Sequence, residues 1–250
     1  MSLLSVRQLV KRFGGVLATD HLDLEFQAGE LHAVIGPNGA GKTTLINLLS
    51  GELPSTQGSI VFQGRDITQL PVDARALRGV ARSYQVTSVF TEFTAAENVI
   101  LAVQARSGHS FSFWRPVLAD RSLREPALEM LATVGLLRLA DERVCNLAYG
   151  ECRQLEIAMT LAMQPKVLLL DEPMAGMSQR ESQSIVDLLL RLKGEYAIVL
   201  VEHDMDAVFA LADRISVLVY GRCIATGSAE NIRSSSEVKA AYLGGEETTL

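Results

Sequence analysis

Residues 31–50 read Leu-His-Ala-Val-Ile-Gly-Pro-Asn-Gly-Ala-Gly-Lys-Thr-Thr-Leu-Ile-Asn-Leu-Leu-Ser. The apolar run Leu31 to Ile35 stops at Gly36, which predicts a buried strand. Ala40 to Ser50 predicts a helix, with Gly51 as its stop. The eight residues Gly36, Pro37, Asn38, Gly39, Ala40, Gly41, Lys42 and Thr43 span this junction and fit G-x-x-x-x-G-K-[ST]; Thr44 follows. Each part has a physical purpose. Glycines let the backbone curl so that successive N–H groups converge on an anion. The helix start adds a favourable dipole. Lys42 offers a mobile point charge to β- and γ-phosphates, and the Thr43 hydroxyl is a ligand for Mg²⁺.

The flanking sequence supplies a frame for this loop. Residues 20–26, Asp-His-Leu-Asp-Leu-Glu-Phe, alternate and predict a half-buried strand, with Ala28-Gly29 as its turn. Ile60 to Phe62 predicts another short strand. From about Ala95 to Leu161 the pattern becomes helical. Ser122 and Glu125 have capping-box spacing, with Leu128, Leu131 and Val134 on one face behind them. A second helix is expected from Glu151 to Met163. Val167 to Leu170 and Ala197 to Val201 predict central strands of a parallel sheet, joined by a crossover helix near Arg180 to Leu192. Ile215, Val217, Val219 and then Tyr220 to Ile224 predict a closing hairpin. The fold class is therefore α/β, a nucleotide-binding core with a helical insertion.

The strand at Val167 delivers Asp171 and Glu172 at its C-terminal end, where ligands of open parallel sheets bind. Asp171 is the expected Mg²⁺ residue and Glu172 the expected general base for the attacking water.

Composition narrows the class. The chain has 250 residues, 48% of them hydrophobic and 21% charged, which excludes disorder of the whole chain. Its net charge of −6 argues against a nucleic-acid binder. The longest apolar run, Ala207 to Ala212, is far short of the ~20 residues of a membrane span. No basic flank precedes an apolar stretch at the start, so no secretory leader is expected. Cys145, Cys152 and Cys223 match no zinc spacing and are expected to be reduced thiols. His21, His32 and His109 suggest no role.

Further motifs narrow it again. Leu147-Ala148-Tyr149-Gly150-Glu151 precedes a helix and resembles the Leu-Ser-Gly-Gly-Gln signature of ABC-type ATPases. Gln85 stands where that family has its Q-loop glutamine, His203 where it has its switch histidine, and Phe13 where an aromatic ring meets adenine. The resemblance covers essentially the whole chain, in the family's motif order. It implies a P-loop NTPase (RecA-like) core, an N-terminal antiparallel β subdomain and an inserted helical subdomain at about 86–165, with a C-terminal extension at 225–250, all in one ABC ATPase domain. It also implies the roles. ATP and Mg²⁺ bind at the phosphate loop. Gln85 contacts the metal or attacking water, and His203 bonds the γ-phosphate. Ala148, Tyr149, Gly150 and Glu151 meet the ATP of the opposite subunit. Two chains are then expected to sandwich two ATP molecules.

Phe90 to Asn98, Val201 to Met205, Ala241 to Gly244 and the segment from Ala105 to Arg124, with Phe111, Phe113 and Trp114, look like the ATPases of branched-chain amino-acid importers. That likeness implies a second, different ATPase, two integral-membrane permeases, a periplasmic binding protein and a place on the cytoplasmic face of the inner membrane. A urea or amide importer and a lipopolysaccharide exporter are the alternatives; a soluble ABC ATPase acting on nucleic acid or ribosomes is the more distant one. The chain departs from the family pattern at Ala148, which lacks the signature hydroxyl, at Ser178, where an Asp is usual, and at Glu151, which replaces a glutamine. The missing hydroxyl is expected to weaken service to the partner's ATP, and Ser178 leaves cross-talk through the usual carboxylate in doubt.

Overall fold

The computed structural model describes residues 2–83, 89–107 and 120–243. The Gln85 expectation lies outside these residues, and so do Phe111, Phe113, Trp114 and Gly244. Two sheets organise the chain. A four-stranded antiparallel sheet has the order β2-β1-β4-β5, with β1 Leu4–Phe13, β2 Val16–Phe26, β4 Gln57–Phe62 and β5 Arg65–Asp66. The alternation read at 20–26 is real: Leu22, Leu24 and Phe26 are buried, and Asp23 and Glu25 are exposed.

Strand β1 has no clean two-residue period in the sequence, and the structure shows why. Its register with β2 shifts between Val6 and Leu9, and Gln8 sits at φ 47°, a β-bulge that turns Leu9 into the core beside Val10. Opposite the bulge, Gly58 at φ 87° lies so close that a Cβ would be 2.3 Å from the Gln8 carbonyl oxygen. A side chain there would collide with backbone.

The second sheet has six strands in the order β10-β9-β3-β8-β7-β6. They are β3 Leu31–Ile35, β6 Val80–Arg82, β7 Val167–Asp171, β8 Ala197–Val201, β9 Arg214–Val219 and β10 Arg222–Gly227. All neighbouring pairs are parallel except the β9–β10 hairpin. The central strands are apolar throughout because each sheet face has its own core. Leu168, Leu170, Ile198 and Leu200 point into one cluster; Val167, Leu169, Val199 and Val201 point into the other.

The first cluster is covered by α3 Ala95–Ser107, α4 Arg121–Thr133, α5 Tyr149–Ala162 and α6 Gln179–Leu192. The second is covered by α1 Lys42–Ser50 and the antiparallel sheet. Helices α2 Val72–Arg78, α7 Met205–Leu211, α8 Ala229–Ser234 and α9 Ser236–Leu243 complete the described chain. Buried Arg75 on α2 donates to the carbonyls of Leu48 and Leu49 at 2.6 and 2.9 Å, closing the C-terminus of α1 with a cation.

Several boundaries differ from the sequence reading. Helix α1 begins at Lys42 because Gly41, at φ 101°, is its N-cap. Helix α4 is capped by Asp120, whose carboxylate accepts from the Ser122 N–H and hydroxyl at 2.9 and 2.6 Å. The Ser122–Glu125 box is therefore not used, since a stronger acceptor stands two residues earlier. Helix α5 begins at Tyr149, not Glu151. No helix among the described residues is long and apolar enough to cross a membrane.

Candidate nucleotide site

Parallel pairing brings the C-terminal ends of β3, β8, β7 and β9 to one edge of the sheet. Gly36 follows β3, Glu172 follows β7, Glu202 and His203 follow β8, and Gly221 lies in the turn after β9. The phosphate loop is therefore ringed by the acidic pair, the switch-type histidine and the hairpin turn.

The loop is tightly held. A Cβ on Gly36 would sit 2.1 Å from the Leu218 carbonyl oxygen, and one on Gly41 would sit 2.3 Å from that of Ala18. The Gly221 N–H donates to the Ala40 carbonyl at 3.0 Å, and the Asp20 N–H donates to that of Gly221 at 2.9 Å. The first intrahelical bond of α1 runs from the Leu45 N–H to the Gly41 carbonyl. The N–H groups of Lys42, Thr43 and Thr44 thus face outward at the helix start, beside exposed Asn38 and Gly39. The Lys42 ammonium donates to the carbonyls of Gly36 and Pro37 at 2.7 and 3.1 Å. Burial lowers its pKa, and the charges of Glu172 and Asp171 pull it back.

Asp171 is 2% exposed. Its Oδ2 accepts from the Arg82 guanidinium at 3.1 Å, whereas its Oδ1 is buried without a partner. Desolvation raises its pKa; Arg82 opposes that, Glu172 adds to it and Lys42 opposes it. Arg82 also donates to Asn47 on α1 at 2.5 Å and to Glu52 at 2.6 Å. Sequence reading missed Arg82, because nothing local links it to a carboxylate 89 positions away.

Glu172 has φ 48°, a conformation uncommon outside glycine, and its N–H donates to the Val201 carbonyl at 2.8 Å. That bond joins the loop after β7 to the end of β8. Glu202, 1% exposed, strengthens the joint. Its carboxylate accepts from the Met174 N–H at 3.0 Å and from the His203 N–H at 3.0 Å. This residue was also missed, although an acid ending an apolar strand is the same signal that singled out Asp171. The His203 side chain is largely exposed, with Nδ1 3.7 Å from the Glu202 carboxylate.

Phe13 ends β1, is half exposed, and has the Lys11 ammonium 5.0 Å from its ring centroid. The signature-like turn lies at the start of α5. Ala148 is the N-cap and supplies no side-chain bond, while its N–H donates to Glu151 at 2.8 Å. The Tyr149 hydroxyl donates to the Ala175 carbonyl at 3.3 Å, and the Gly150 N–H to Glu181 at 3.2 Å. This turn is thus tied to the segment just after Glu172. The three cysteines are free thiols. His32, to which the sequence suggested no role, is buried; its ring bonds Ser216 at 2.8 Å, and burial together with Arg214 lowers its pKa to about 3.

A loop of converging amides, a buried carboxylate with one free oxygen and a second acid on one sheet edge define a nucleoside-triphosphate hydrolase. The sequence model described as ABC transporter matches residues 19–175, and the chain belongs to the ABC transporter family, as its ATPase cassette. It is 40% identical to the high-affinity branched-chain amino acid transport ATP-binding protein LivG of Salmonella typhimurium, over 97% of this chain and 98% of that one. It is 31% identical to the lipopolysaccharide export system ATP-binding protein LptB of Haemophilus influenzae, over 98% of each. Among solved structures, a nucleotide-free ATP-binding cassette from an ABC transporter superposes with a TM-score of 0.86. That protein is 28% identical, and the match covers 97% of this chain and 99% of the other.

Proposed function

We propose that the chain is the ATP-binding and hydrolysing subunit of an importer for branched-chain or other hydrophobic amino acids. In this reading it pairs with a second ABC ATPase subunit, of a different sequence, beneath two integral-membrane permeases at the cytoplasmic face of the membrane. A periplasmic binding protein delivers the solute. The observation that carries the reading is the 40% identity to LivG along nearly the full length of both chains. The likeness to LptB keeps a lipopolysaccharide exporter as the second reading.

In this site the loop from Gly36 to Thr44 holds the phosphates through the backbone N–H groups it leaves free at its turn and at the start of α1, Lys42 supplies positive charge, and Phe13 offers a ring face to adenine. The oxygen groups present fit Mg²⁺: Asp171 keeps one buried carboxylate oxygen free, and Thr43 is exposed in the first turn of α1. An ion held there would supply positive charge to offset that of the phosphoryl oxygens. Glu172 accepts the proton of the attacking water, and His203 holds the γ-phosphate end of the site, each positioned by the joint through Val201 and Glu202. Gln85 completes this set in the family pattern. Ala148, Tyr149, Gly150 and Glu151 serve the ATP of the opposite subunit.

The test is affinity capture of the tagged chain from detergent-solubilised native membranes. Recovery of two multi-span permeases and a second ATPase supports the importer. Recovery of an export-type membrane partner with this ATPase alone supports the exporter, and recovery of no membrane protein overturns both.

A further inference from the structure

A helix needs an acceptor for the N–H of its second or third residue, and the N-cap side chain normally supplies it. Helix α5 has Ala148 at that position, which carries no acceptor. Half of a capping box is nonetheless present, because Glu151 at the third helical position accepts from the Ala148 N–H at 2.8 Å. The reciprocal half comes from elsewhere. The Gly150 N–H, at the second helical position, donates to Oε1 of Glu181 on α6 at 3.2 Å.

Glu181 is also the third residue of α6. Its other oxygen, Oε2, accepts from the N–H and hydroxyl of Ser178 at 3.0 and 2.6 Å, which is the capping box of its own helix. One carboxylate therefore closes two helix starts. The fit is close: a Cβ on Gly150 would lie 3.0 Å from the Glu181 Cγ. The Tyr149 hydroxyl, bonded to the Ala175 carbonyl, is a second tie between the same two segments. These bonds also lower the pKa of Glu181, with Ser178 as the larger cause and Gly150 the smaller.

We propose that Glu181 is a positioning residue that substitutes for the missing cap of α5 and locks the signature turn, residues 148–151, to the Ala175–Ser178 segment that follows Glu172. Of the three places where the chain departs from the family pattern, Ser178 bonds this side chain directly, and Ala148 is the N-cap whose neighbour two residues on, Gly150, donates to it. The functional half of the inference rests on the ATPase reading: the signature turn can meet a nucleotide held by another subunit only if its amides are aimed, and Glu181 aims them relative to the chain's own hydrolytic loop.

The experiment has two readouts on the full-length chain. Without nucleotide, Glu181→Ala is expected to speed hydrogen exchange in the 147–155 segment about tenfold, and Ala148→Ser in that background to reverse most of the change by restoring a local cap. In ATP turnover by the transporter complex, Glu181→Ala is expected to lower kcat several-fold with KM for ATP within twofold of wild type, and Ala148→Ser to recover much of the loss. Unchanged exchange in Glu181→Ala overturns the surrogate cap. Faster exchange with unchanged or higher kcat overturns the positioning role. If the wild-type complex fails to hydrolyse ATP, the ATPase reading fails, and the exchange data still decide the cap.

Discussion

Replacing Arg82 by methionine should be among the most damaging single changes near the site. The guanidinium is 7% exposed and bonds a carboxylate whose side chain is fully buried, that of Asp171, at 3.1 Å. Methionine fills similar volume but leaves that carboxylate charged, desolvated and unpaired. Removing one member of a buried pair costs about 3–5 kcal/mol. The lost bond to Glu52, a partly exposed partner, adds less than about 1 kcal/mol. Against a total stability of ~5–15 kcal/mol, the variant folds with a narrow margin. Urea denaturation at a series of pH values reads the effect. Desolvation makes Asp171 bind its proton more tightly in the folded chain than in the unfolded one, and without Arg82 it binds tighter still. The folded variant then holds more protons than the unfolded chain above pH ~4, so its stability falls as pH rises until Asp171 is ionised in the fold. The deficit should be smallest in mild acid and grow toward neutrality, and Arg82→Lys should restore part of it. A deficit below about 1 kcal/mol, or one independent of pH, refutes the argument that Arg82 acts by compensating a buried charge.

Three other outcomes follow from the geometry. Glu172→Gln should keep ATP binding and lose about 10²–10⁴ in turnover, measured as single-turnover hydrolysis; near-normal rates would remove Glu172 from the base role. Gly41→Ala places a Cβ 2.3 Å from the Ala18 carbonyl oxygen at φ 101°, so it should cost about 1–3 kcal/mol in thermal unfolding and weaken nucleotide binding in calorimetry. His32 has a folded pKa of about 3 against 6.5 unfolded, so its contribution to stability is full above pH 6.5 and lost as pH falls toward 3. Relative to His32→Gln, the wild type should lose about 1.4 kcal/mol per pH unit below 6.5; a constant difference between the two would show that the ring is not kept neutral by burial.

Much of the site was legible because its signals are local. The phosphate loop needs glycines at fixed spacing between a strand and a helix, and Gly36 and Gly41 prove to be places where no Cβ fits. The apolar strands ending in Asp171 and near His203 were legible because a strand covered on both faces carries no polar alternation. What escaped has a physical reason in each case. Strand β1 hides behind its bulge at Gln8, which breaks the two-residue period. The start of α4 was misplaced because two acceptors, Asp120 and Ser122, lie within reach of the same turn, and only the backbone path selects one.

The sequence by itself determined the α/β class, the phosphate loop, the acidic pair and the family, since all of these depend on residue type and short spacing. The tertiary structure alone decided which side chains hold those parts together. Arg82 reaches Asp171 because β6 pairs with β7, Glu202 reaches Met174 because β7 pairs with β8, and Glu181 reaches Gly150 because α5 packs on α6. Such partners are chosen by strand order and helix packing, and neither leaves a trace in the spacing of residues along the chain.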